Sequence, residues 1–113
     1  MLFLTEFGLY FLAAVFEILG CYSFWMVFKL QKSPLWLIAG LFSLISFAYI
    51  LTKVEMEFAG RAYAVYGGVY ILSSLLWLYI FEKQLFSRWD IIGAIIVFIG
   101  ISFILFGDQK EFL

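Results

Sequence analysis

The chain has 113 residues, of which 66% are hydrophobic and 13% charged, with a net charge of −1 and a mean hydropathy of +1.10. Soluble domains run at roughly 45–50% apolar and 25% charged, so the composition excludes a water-soluble globule and leaves an integral membrane protein. A net charge so close to zero, without basic–aromatic clusters, argues against a nucleic-acid partner. With no histidine and only Cys21, no metal, haem, iron–sulfur cofactor or internal disulfide is expected.

Charges fall in clusters that divide the chain into four apolar segments, so the expected fold is all-α with four transmembrane helices in a single membrane domain. The first helix is expected over 7–28. Glu6 is the only charged side chain before it, without the basic region of a signal peptide, so this segment should remain in the mature protein. Glu17 stands in its middle, the one charge in a run that is otherwise apolar or small apart from Ser23 and tyrosine hydroxyls. A charge at that depth costs about 2.5–3.5 kcal/mol on insertion scales, and ionisable groups so placed usually handle protons or ions. Its helical face holds Tyr10, Ala13, Ala14, Gly20, Cys21 and Phe24, with the small residues opening space for a ligand or another helix. The alternative is a structural carboxyl bonded to a neighbouring hydroxyl.

Lys29, Lys32 and Pro34 mark the first loop, with the proline suited to the first turn of a second helix over 35–52. Ser43 and Ser46 sit one turn apart on that helix, with Tyr49 on the same face. Their hydroxyls fit a cavity lining or bonds across helices.

Lys53, Glu55, Glu57 and Arg61 lead into a third helix over 62–81. Tyr63, Tyr66, Tyr70, Ser74 and Trp77 share one face with Gly67. Such π-faces attract organic cations, though tight packing and interfacial aromatics account for the pattern too. Gly67-Gly68 is a candidate hinge, since paired glycines weaken a helix interior. Arg61, at the mouth of this helix, either snorkels to the headgroups or gates a cavity.

Glu82, Lys83, Arg88 and Asp90 mark the third loop, before a fourth helix over 89–106 and a polar tail through Glu111. Gly93, Gly100 and Gly107 recur every seven residues, a stripe that lets helices approach closely and points to an assembly face. Lys53, Arg61 and Lys110 lie on one side of the membrane and Lys29, Lys32, Lys83 and Arg88 on the other. So small a bias fits either a weak preference, with the amino terminus outside the cytoplasm, or dual topology with antiparallel pairing.

The block Gly60-Arg61-Ala62-Tyr63-Ala64-Val65-Tyr66-Gly67-Gly68-Val69-Tyr70 closely resembles the signature of the YnfA family, within the small multidrug resistance superfamily of bacterial inner-membrane transporters. Glu17-Ile18-Leu19-Gly20-Cys21 and Arg88-Trp89-Asp90-Ile91-Ile92-Gly93-Ala94 look like that family's first-helix motif and its entry to the fourth helix. The resemblance implies an antiparallel homodimer of dual topology that exports small organic cations against protons. It also implies that Glu17 binds proton and substrate, that Tyr63 and Tyr66 line the cavity, and that Gly67-Gly68 marks the third-helix kink. The fourth-helix glycines would serve the dimer. Phe24 stands where members often have proline, Phe81-Glu82-Lys83 where they show a Val-Asp-Gly-like turn, and Tyr66 where drug exporters carry Trp. The last difference bears on substrate range. The competing expectation is a non-transporting assembly or regulatory subunit; an enzyme is the weakest option, because no nucleophile–base pair is visible.

Overall fold

A computed structural model of the chain describes residues 2–107, with side chains from Thr5 onward. The tail residues Asp108, Gln109, Lys110 and Glu111 lie outside the described residues, and with them the tail expectation and the place of Lys110 in the charge count. Four helices account for most of the rest: α1 over Leu2–Phe28, α2 over Trp36–Leu51, α3 over Ala59–Ile80 and α4 over Arg88–Phe106. No strand occurs among the described residues, and the fold is all-α as expected.

Most boundaries fall close to the expected ones, but α1 and α3 begin well ahead of the apolar runs. Glu6 therefore lies within α1, and Arg61 in the first turn of α3. The physical reason is that charged residues mark where a chain meets the headgroups, not where its backbone stops hydrogen-bonding. Among the described residues, three helices are long and apolar enough to cross a membrane: Thr5–Phe28 within α1, α3 and α4. With 16 residues α2 is shorter, about 24 Å at 1.5 Å per residue against a hydrocarbon core of about 30 Å. Flanking residues and local thinning of the bilayer accommodate such a shortfall. Phe42, Ile45, Leu85 and Phe103 are each at least 70% exposed, a surface suited to lipid and not to water.

Contacts divide the chain into two compact units, Met1–Glu55 and Met56–Leu113, each a helical hairpin. In the first, α1 and α2 pack extensively, and their crossing point is a meeting of glycines. A Cβ at Gly20 would lie 2.6 Å from Leu44 Cγ and 3.0 Å from the Gly40 carbonyl oxygen; one at Gly40 would lie 3.1 Å from the Gly20 oxygen. Only glycines permit backbones to come this close. In the second hairpin, Gly68 lies under Ile101, and a Cβ there would collide with Ile101 Cγ2. Ile101 is the buried residue of α4, whose outer faces are otherwise open.

The two hairpins turn in the same way. Phe28 and Ile80 end the first helix of each, Gln31 and Lys83 adopt positive φ (59° and 57°), and Trp36 and Arg88 open the second helix; each pair is 52 positions apart. The hydrogen bonds repeat as well. The amides of Lys29 and Leu30 donate to the Trp25 carbonyl, and that of Lys32 to Met26; those of Phe81 and Glu82 donate to Trp77, and that of Gln84 to Leu78. These bonds satisfy carbonyls that a helix end leaves without partners. The starts of α2 and α4 differ. Leu35 gives α2 no side-chain cap, whereas Ser87 and Asp90 form a reciprocal capping box at α4 with bonds of 3.1 and 2.9 Å.

Candidate functional site

Cations stacked on aromatic rings mark the ends of the first hairpin. Lys29 Nζ lies 5.3 Å from the Trp25 ring centre, and at the opposite end Lys53 Nζ lies 4.8 Å from that of Tyr49. Such pairs belong at the membrane–water boundary, where rings sit at headgroup level. Glu17 stands about midway along α1 between Glu6 and Lys29. Its depth is thus set by the length of the helix, and the residue is half-buried.

The face around Glu17 is sealed on one side and open on the other. Towards the amino terminus, Tyr10, Ala13 and Ala14 are 0% exposed. Towards the loop, Cys21 is exposed and Phe24 is half-buried. Space predicted beside Gly20 is occupied by Leu44 and Gly40 of α2, so this glycine serves helix packing. Ser43 lies at the level of Glu17, because the Gly20–Gly40 crossing sets the antiparallel register. The Ser46 hydroxyl turns back to donate to the Phe42 carbonyl at 3.0 Å, and those of Ser23, Ser73 and Ser102 do the same within their own helices. An apolar surrounding favours this local bond, since it leaves no hydroxyl unpaired in lipid.

In the second hairpin the expected aromatic face is graded. Tyr66 is buried, Tyr70 and Trp77 are half-buried, and Tyr63 is 60% exposed. Tyr66 and Tyr70 lie 6.0 Å apart by ring centres and Trp77 packs on Phe81 at 4.3 Å, separations at which rings attract edge-on or offset. This face lies apart from the α4 contact made by Gly68. An apolar groove of about 280 Å³ opens between α3 and α4, lined by Leu72, Leu75, Leu76, Phe86, Ile91 and Ile95 among others, and none of the expected cavity residues lines it. Gly67 has open space where a Cβ would be, whereas Gly68 is tightly packed, and α3 runs unbroken through both. Arg61 is half-buried. On α4, Gly93 and Gly100 have nothing within 4 Å of a built Cβ. Gly107 follows the helix as its C-cap with extended backbone, so the expected stripe ends at Gly100.

One acidic residue was missed from the sequence. Glu6 is 6% exposed, more buried than Glu17, and both carboxylate oxygens accept from the Glu55 amide, at 3.0 and 3.1 Å. Its spacing from Tyr10 and Glu17 was the available signal, since i, i+4 and i+11 share a helix face.

A multi-pass helical membrane protein with an ionisable group at mid-span is therefore the class that fold and site define. The family follows from comparison with known proteins. The model described as "Uncharacterised BCR, YnfA/UPF0060 family" matches residues 3–110. A "UPF0060 membrane protein" of Brucella anthropi is 52% identical over 105 residues, covering 93% of this chain and 99% of the relative. A protein of the same description from Ectopseudomonas mendocina is 52% identical over 106 residues, covering 94% and 96%. The chain belongs to the YnfA/UPF0060 family. No solved structure gives a significant match.

Proposed function

We propose that this protein exports small organic cations across the inner membrane in exchange for protons, as an antiparallel homodimer of dual topology. The observation that carries the reading is Glu17, a half-buried carboxylate midway along a 24-residue apolar span. Each protomer contributes one Glu17 to a shared chamber, and protons compete there with cargo. Opposed protomers supply two equivalent conformations with reversed access, as inverted repeats do in larger transporters. Tyr10, Ser43, Ser46, Tyr63, Tyr66, Tyr70 and Trp77 line the chamber, Gly67 and Gly68 flex α3, and Arg61 closes the mouth. Gly93 and Gly100 supply the dimer contact.

The exposure of α4 supports a second reading, a non-transporting subunit that docks on other membrane proteins, but that reading leaves Glu17 without a task. Purified protein in liposomes separates the two. An exporter releases protons when tetraphenylphosphonium or another organic cation binds; a subunit releases none across a broad panel. A tag at the carboxyl terminus, found on both faces of the membrane, is expected for dual topology.

A further inference from the structure

Glu17 is open towards Cys21 and closed towards the amino terminus, and the closed side carries the Glu6 carboxylate and the Tyr10 hydroxyl, to which the export reading gives no task beyond the lining supplied by the Tyr10 ring. Tyr10 is 0% exposed, and its hydroxyl has no hydrogen-bond partner among the described residues. A buried hydroxyl without a partner is unfavourable, and its presence calls for an occupant. Side chains on a helix lean over the preceding turn, which for Tyr10 is the turn that holds Glu6. Glu6 is itself buried, and its described hydrogen bonds come from one donor, the Glu55 amide. A single neutral N–H serving two carboxylate oxygens leaves the group able to accept a positive charge. Between this pair and Glu17 the face carries only the small side chains of Ala13 and Ala14. Glu6 and Glu17 are eleven residues apart, about 16 Å along the axis, which places Glu6 near the membrane surface and Glu17 at its centre.

We propose that the Glu6 carboxylate and the Tyr10 hydroxyl form a second cation-binding position, a waypoint through which a monovalent cation, the proton included, passes between the membrane surface and Glu17. The waypoint rests on the export reading. It assigns the sealed half of α1 to traffic on one side, while the Cys21 half serves the other. Chains of carboxyl and hydroxyl groups conduct in this way in membrane pumps.

The test uses full-length protein in liposomes, with tetraphenylphosphonium uptake in one arm and dye-reported proton flux in the other. Glu6→Gln keeps a carbonyl to accept from the Glu55 amide but removes the charge, and Tyr10→Phe keeps the ring but removes the hydroxyl. Each is expected to slow flux about tenfold while equilibrium affinity for the probe stays within about twofold, the signature of a lost step on the route and not of a lost binding site. Slowing in the proton arm alone assigns the waypoint to protons, and slowing in both assigns it to cargo as well. Wild-type rates in both variants would overturn the waypoint, and so would a fall in affinity equal to the fall in rate. A wild-type protein inert in both arms would overturn the export reading and the waypoint with it. Wild-type flux that survives Glu17→Gln would overturn the export reading separately.

Discussion

The two hairpins share a turn and differ in what they bury. The first presses two helix backbones together at Gly20 and Gly40 and carries both acidic residues of the α1 face. The second seats one glycine under Ile101, carries no acidic residue within α3, and leaves most of α4 exposed. Val69 stands 52 positions after Glu17, so the repeated scaffold holds an ionisable group in one copy and a plain apolar side chain in the other. One helical frame thus carries two different sets of side chains. The tight hairpin holds charge at depth, where a loose fit would admit lipid or water. The open hairpin offers rings on α3 and an unoccupied surface on α4.

Predictions that break or sharpen this contrast fall in order of size. Glu17→Gln should abolish cation-driven proton release without unfolding, whereas Val69→Leu, at the equivalent place in the second hairpin, should leave release near wild type; liposome assays of both compare them. Gly68→Ala forces a methyl into Ile101 and should destabilise the protein by about 1–3 kcal/mol, as overpacking does, with Ile101→Ala restoring part of the loss; unfolding in mixed micelles measures both. Ser87→Ala removes the capping box and should cost about 1 kcal/mol, while Leu35→Ala, where no cap exists, should not. Gln31→Gly and Lys83→Gly should each stabilise by similar amounts, at most about 1 kcal/mol, because both positions hold the same left-handed conformation. Unequal effects would show that the turns are alike only in outline. The smallest change in protomer stability belongs to Gly93→Ala and Gly100→Ala, which meet open space and should slightly favour the helix. If α4 is the assembly face, the same variants weaken self-association in cross-linking.

Much of this was legible in the residues. Composition and the spacing of charges gave the membrane class and four helices, because a bilayer demands apolar runs of fixed length. The depth of Glu17 followed from the same argument. The repeated hairpin did not, since turns with Lys-Ser-Pro in one copy and Gln-Leu-Phe in the other share backbone geometry but few side chains. Helix starts were also hidden: Arg61 and Glu6 look like loop residues to a hydropathy reading, yet backbone hydrogen bonds carry each helix past them. Which glycines pack and which lie open was beyond the sequence. Gly67 and Gly68 are neighbours in the chain but face different surroundings, and only a partner helix distinguishes them.

The account stands on an exchange at Glu17, and the affinity of purified protein for tetraphenylphosphonium, titrated against pH, reads that exchange most directly. Affinity should rise with pH in the wild type as protons leave the carboxylate, and should be weak and flat in Glu17→Gln. A wild-type affinity independent of pH, or a Glu17→Gln protein that keeps the full pH response, would contradict it.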